Sequence, residues 1–514
     1  MTRHRCAIPL FWIAVVGFTA SLAAGQATRP ADLPPAPADI MPRADLARIY
    51  SYELGKKIAA DSPLFTQLYN VNLLLEQYFA ARTPSQRQPV VKQIIATKVP
   101  AAAIGRLTRI RMTWPALKPG VYYINERIGP HPVKYFLGIP PDYDRTIPWP
   151  LVIKLPVAMP FLAVPPLNAQ GVANTYADWM QQEIADHPDA VVIMPLLDMT
   201  EFYGPSYKGM NTVIQPMLDA ADKVNIDPRR VYMVGHSMAA HAVWNIALHY
   251  TTYFSSFLAM AGGADQEWQR LRVRNLRNVL PVVWADSEDN MIPVSQSRAL
   301  VNELRILHYD VDYEETNGVG HVPTQAIYDR LYRQMRARVR DLYPSQVSIQ
   351  SDRPDTMFNR IDWVQVYQEV ETGPEQELHL SHGTGTITLE QNAFTVEATV
   401  AGNRVNVTAQ NVDTMRLYFN DQMVDFSQPV QVTVNGRQKF YSYLKPDIDQ
   451  MLKDELFLGR GWRYYTAVLD IDLGEGTMAS VPKNAPPAAT TKSKGGSIEV
   501  IGADGKVIKV IPTP

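Results

Sequence analysis

From about Pro119 to Tyr343, short apolar runs alternate with stretches of helical period. "PLVIKLPV", "AVVIMPLLD", "RRVYMVGHS", "FSSFLAMAGG" and "LPVVWADSED" are apolar on successive residues and bounded by turn-forming positions. A strand with that pattern has both faces buried. Between these runs, "TYADWMQQEIADHP", "TVIQPMLDAADKVN", "AAHAVWNIALHY" and "SQSRALVNELRILHYD" carry apolar residues three and four apart, the spacing of an amphipathic helix. "VDYEETNG" adds a last strand and "TQAIYDRLYRQMRARVRDLY" a long closing helix, while "GVYYINERI" and "VKYFLGIPPDYD" form an antiparallel pair at the start. The alternation predicts an α/β fold, a doubly wound and mostly parallel sheet covered on both faces.

The flanks differ. Residues 41–114 have helical spacing, with Ser62-Pro63 as a cap and first-turn pair. After 343 the helices give way to alternating segments punctuated by Asn-Gly, Asn-Asp and Gly-Asn, interrupted by one helical stretch, "PDIDQMLKDELF". The expected organisation is a signal peptide (1–25), a Pro/Ala-rich linker (26–40), a helical region (41–114), the α/β domain (115–343), a β-rich accessory domain (344–475), and a flexible linker with a terminal hairpin around Asp504-Gly505 (476–514).

The signal reading rests on Arg3 and Arg5, an apolar stretch to about Ala24, and small residues before Gln26. The one cysteine, Cys6, lies inside that stretch, so the mature chain has no disulfide to make. This fits a secreted or periplasmic bacterial protein. No later stretch is long and apolar enough to span a membrane. With 49 basic against 51 acidic residues, the charge gives no case for a nucleic-acid partner.

Chemistry concentrates around "RRVYMVGHSMAAHAVW". Ser237 sits where a buried strand meets a helix, with Gly235 two residues before and Ala239 two after. A nucleophilic serine needs that sharp turn and those small neighbours, because the following helix packs close against the strand. It also needs a base, and the base needs a carboxylate. His321 follows the last strand, between Gly318, Gly320 and the closing helix. Asp286, Glu288 and Asp289 all lie in the loop after "LPVVW"; loops of related design place the acid four residues before a Pro-Val, which favours Asp289.

Residues from about 120 to 343 resemble an α/β-hydrolase of the secreted bacterial esterase, polyhydroxybutyrate-depolymerase-like and prolyl-oligopeptidase-like branch. "NIDPRRVYMVGHSMAAHAVW", "LPVVWADSEDNMIPVSQSRALVNEL" and "GVGHVPT" carry the resemblance. It implies an ester-cleaving serine hydrolase without cofactor or metal, acting on a small or polymeric ester. Ser237 would be the nucleophile, His321 the base, Asp289 its orienting acid, and the Met238 amide one oxyanion donor. Three positions depart from the pattern. Leu155-Pro156-Val157-Ala158-Met159 replaces the usual His-Gly-Gly, leaving Val157 or Ala158 as the second donor. Ala285-Asp286 replaces His-Gly, and Ala239-Ala240 replaces Gly-Gly. A peptidase of the same branch and a non-catalytic binding scaffold are the alternative readings.

Other candidates are weaker. Tyr203 and Tyr207, in a loop after a strand, and His236 beside the serine are candidates for substrate contact; His236 also suits packing of the elbow. His379 and His382 have no third ligand nearby, so no metal site is expected. Trp363, Trp462, Tyr464 and Tyr465 would be either a carbohydrate-stacking face or core of the β-rich domain, the latter being the commoner fate of such residues.

Overall fold

The computed structural model describes residues 31–32, 40–128, 131–156, 169–196, 207–263, 270–351, 359–368, 370, 375–379, 386–390, 393–474, 498–501 and 507–510. The expected signal peptide, most of the two linkers, Val157, Ala158, Tyr203 and His382 lie outside the described residues.

Residues that alternate along the central strands divide between two cores, which explains their continuous apolar runs. Nine strands form the main sheet: β1 (Ala31–Asp32), β2 (Gly120–Ile128), β3 (His131–Ile139), β4 (Trp149–Lys154), β5 (Val191–Pro195), β6 (Ile226–His236), β7 (Ser256–Met260), β8 (Leu280–Asp286) and β9 (Asp312–Thr316). Their order is β1-β2-β3-β5-β4-β6-β7-β8-β9, and β3 runs antiparallel to both of its neighbours. From β5 through β4 to β9 every pairing is parallel. The swap of β4 and β5 and the single reversed strand give this sheet the α/β-hydrolase arrangement.

Ile153, Met233, Phe257 and Val283 point to one face, where α6 (Tyr207–Lys223), α7 (Met238–His249) and α8 (Val294–Ile306) pack. Val152, Val234, Leu258 and Trp284 point to the other, against α5 (Ala169–Asp186) and α9 (Gln325–Ala337). Ahead of the sheet stand α1 (Arg43–Glu53), α2 (Pro63–Ala80), α3 (Pro84–Ala96) and α4 (Ala101–Leu107). Ser62 caps α2 by accepting the Phe65 amide, and Thr83 and Gln86 close a capping box on α3.

Beyond the α/β domain, strands Gln346–Ser351, Phe394–Ala401, Arg404–Gln410, Val430–Val434 and Arg437–Ser442 form a five-stranded sheet in that order. It faces a four-stranded sheet of Arg360–Ile361, Val364–Gln368, Thr414–Phe419 and Ala467–Asp472, with a shared apolar core. The Asn435-Gly436 turn has both residues at positive φ, as a two-residue hairpin demands. Ile498–Ile501 and Val507–Val510 pair antiparallel, and the expected turn at Asp504-Gly505 lies outside the described residues.

The structure corrects two expectations and decides a third between its alternatives. Ala31 and Asp32, within the stretch read as linker, pair with Tyr122 and Tyr123 at the sheet edge. The closing helix ends at Ala337 rather than running to Tyr343. Its C-terminal extension turns in so that the Arg340 guanidinium reaches buried Asp362 at 2.8 Å and the carbonyls of Phe254 and Asn278. Finally, the aromatic quartet offers no ring to a sugar. Trp363 and Tyr465 fill the sandwich, Trp462 joins a core of the α/β domain, and Tyr464 packs among the N-terminal helices. Helix α10 (Ile448–Leu458) contributes Met451 and Leu452 to that same helical core.

Removing Arg340 takes two charge-assisted hydrogen bonds from buried Asp362 and leaves Arg463, 3.3 Å away, as its cationic neighbour. Arg340→Met is therefore expected to cost about 3–5 kcal/mol of stability, read as a shift of the denaturant midpoint; a midpoint within error of wild type would refute the strut.

Candidate active site

The strand order puts the carboxyl ends of β6, β8 and β9 along one edge of the sheet, and the three sequence-predicted triad residues follow those ends. Ser237 follows β6 and precedes α7, with φ 59° and ψ −123°. A non-glycine residue held there is strained and persists only where its surroundings fix it. Two contacts do so. The Ser237 amide donates to the Met260 carbonyl at 2.8 Å, tying the turn to the end of β7. Gly235 lies so close to α7 that a Cβ there would sit 2.3 Å from the Ala239 carbonyl oxygen.

The Ala-Ala after Met238 is accommodated by a second glycine. A Cβ on Gly262, after β7, would meet the Ala240 methyl at 2.7 Å. The room that the resemblance assigns to glycine in the elbow is here supplied from the facing strand end. Ser297 fixes that segment by donating to the Gly262 carbonyl, and the His241 ring bonds the Gly263 carbonyl at 2.7 Å.

His321 joins Ser237 to an acid. Its Nε2 lies 2.9 Å from Ser237 Oγ, and its Nδ1 lies 2.8 Å from Asp289 Oδ2. Asp289 is almost wholly buried and His321 largely so. The other Asp289 oxygen accepts the amides of Met291 and Ile292, which fixes the carboxylate's orientation. Since a carboxylate only accepts, Nδ1 carries the proton and Nε2 presents its lone pair to the serine hydroxyl. Gly318 and Gly320, both near φ +80°, shape the loop that delivers the ring.

The neighbouring acids do other things. Asp286 is buried at the end of β8, does not touch His321, and bonds to the backbone of the histidine loop. Burial raises its carboxyl pKa, but hydrogen bonds from Thr316 and from the amides of Glu288, Val319 and Gly320 outweigh this and hold it at about 2. Glu288 enters this arrangement through its amide, which donates to Asp286.

His236, a candidate for substrate contact, is engaged instead with the base. Its Nε2 lies 2.7 Å from the His321 carbonyl oxygen and therefore carries the hydrogen. Burial lowers its pKa, favouring the neutral ring that this bond needs. Tyr207 opens α6, and Met238 opens α7. The Met238 amide is one of the first-turn N–H groups that a helix leaves without an internal acceptor. Pro156, after β4, has no N–H, and both candidates for a second donor lie outside the described residues. Sequence reasoning missed Thr316 and Ser297, whose hydroxyls act on backbone and carboxylate groups remote in sequence and carry no local motif. Among the described residues no cluster of three His, Cys, Asp or Glu side chains could hold a metal ion.

No family model and no curated protein matches the sequence. Solved structures align with part of the chain. A thermostable esterase aligns at 20% identity and a TM-score of 0.34, over 41% of this chain and 62% of its own. A protein designated a dipeptidyl aminopeptidase IV, from Bacteroides ovatus, aligns at 11% and 0.34, over 43% and 36%. A ferulic acid esterase aligns at 12% and 0.32, over 42% and 96%. This chain thus spans less than two thirds of the first two. Identities this low leave substrate and activity to the site itself.

The contact between Gly262 and Ala240 yields a paired test. Gly262→Ala is expected to cost about 1–3 kcal/mol through overpacking. Adding Ala240→Gly should recover part of that loss, although the second change alone costs about 1 kcal/mol in a helix. Thermal unfolding that shows the double variant less stable than Gly262→Ala would contradict the geometry.

Proposed function

We propose that this chain is an exported serine hydrolase that cleaves carboxylic esters through an acyl-enzyme. The observation that carries the reading is the continuous hydrogen-bonded series Asp289–His321–Ser237 at a strained strand-to-helix turn. Export is read from the N-terminal sequence alone.

In this mechanism His321 Nε2 takes the Ser237 proton as Oγ attacks the ester carbonyl. Asp289 stabilises the imidazolium and keeps Nδ1 protonated throughout. Charge on the tetrahedral oxygen meets the Met238 amide at the positive end of α7. His321 then protonates the departing alcohol, and the acyl-enzyme forms. Water, deprotonated by the same nitrogen, attacks it and releases the acid and the free serine. His236 holds the backbone of the base and so steadies His321.

Reaction of the mature protein with a fluorophosphonate probe is expected to label wild type and not Ser237→Ala. On an aryl ester the same substitution should lower kcat by about 10⁴-fold or more. An unlabelled wild type that is folded would favour a binding scaffold; turnover of peptidyl amides in preference to aryl esters would favour a peptidase.

A further inference from the structure

The loop carrying the acid and the loop carrying the base are joined through a single buried carboxylate. Asp286 is the last residue of β8, in place of the glycine that the sequence resemblance leads one to expect. Its Oδ1 accepts the Glu288 amide at 2.9 Å, and its own carbonyl accepts the Asp289 amide at 3.2 Å. Together these form the turn that aims Asp289. Its Oδ2 accepts the Thr316 hydroxyl at 2.7 Å and the Val319 amide at 3.0 Å, and the Gly320 amide lies toward the same carboxylate. These are the residues that lead directly into His321. The Ser287 amide and the Asn317 side chain tie the loops nearer β9, but neither reaches Val319 or Gly320.

We infer that Asp286 is a positioning residue, a clamp that sets the separation of Asp289 and His321 by holding both of their loops from below. It hydrogen-bonds neither the serine nor the base and acts through loop amides and the Thr316 hydroxyl. This rests on the hydrolase reading for its consequence in turnover, though the clamp itself is a statement about the loop.

Only a carboxylate satisfies the site. Every group facing either Asp286 oxygen is a donor, so an asparagine there sets its NH₂ against an N–H in either orientation. An asparagine can keep its one oxygen toward Val319 and give up only the Glu288 amide, whereas Asp286→Ala removes both acceptors and is expected to release Val319 and Gly320, while the sheet, held by other contacts, stays intact.

The test couples hydrogen–deuterium exchange with probe labelling on full-length wild type, Asp286→Ala and the milder Thr316→Val. In Asp286→Ala, exchange in residues 317–321 should rise by about tenfold or more, with β6 and β7 unchanged. Fluorophosphonate labelling of Ser237 and kcat on an aryl ester should fall by about tenfold to a hundredfold, with KM nearly constant. Thr316→Val, which keeps both loop amides bonded, should show a smaller change of the same kind. Unaltered exchange in 317–321 would overturn the clamp. Faster exchange with undiminished labelling would overturn its positioning role, as would a loss of activity matched by faster exchange throughout the sheet. If wild type itself fails to label while the loop-specific exchange difference is present, the hydrolase reading falls and the clamp stands.

Discussion

The tight approach of β6 to α7 is the constraint on which the site depends. At Gly235 there is no space for a methyl group, and the chain must reverse within one residue to place α7 over the sheet. Ser237 absorbs that reversal in a conformation that side chains rarely adopt. The strain exposes its hydroxyl beyond the strand end and leaves the first amides of α7 beside it. Neighbouring strands are arranged around this point. Met260 anchors the Ser237 amide, and Gly262 admits the Ala240 methyl that would otherwise collide with the next strand end.

A parallel sheet supplies the rest of the geometry at little further cost. Because β6, β8 and β9 run the same way, their carboxyl ends bring residues 237, 289 and 321 to one edge. Orientation is then decided by buried acceptors. Asp289 fixes the tautomer of His321, while Asp286 accepts the Glu288 and Val319 amides of the two loops. His236 adds a third hold on the base through its carbonyl.

The flanking regions are joined to this domain by polar struts and shared apolar packing. Arg340 reaches across from the end of α9 to Asp362 in the sandwich, and Tyr464 and α10 complete the core of the N-terminal helices. Gly105 in α4 makes room for the Tyr464 ring, since a Cβ would lie 2.5 Å from it. Of the aromatic quartet, Trp363 and Tyr465 fill the sandwich, while Trp462 and Tyr464 make contacts between regions. Composition cannot separate those two fates, because both draw on large, partly polar rings.

Periodicity alone revealed the α/β class, the helical start and the β-rich end, since burial on both faces, one stripe or one face leaves distinct spacings in the chain. Spacing around Ser237, the Pro-Val after Asp289 and the glycines before His321 pointed to the residues that the structure brings together. What only the tertiary structure decided was how loops remote in sequence divide the work. Asp286 and Asp289 are chemically identical and three residues apart, yet one faces the base and the other the backbone of its loop. The early stop of α9, the burial of Trp462 and Tyr464, and the pairing of Gly262 with Ala240 have the same origin. Each depends on which partner the fold brings within a few ångströms, and no local pattern of residues encodes that.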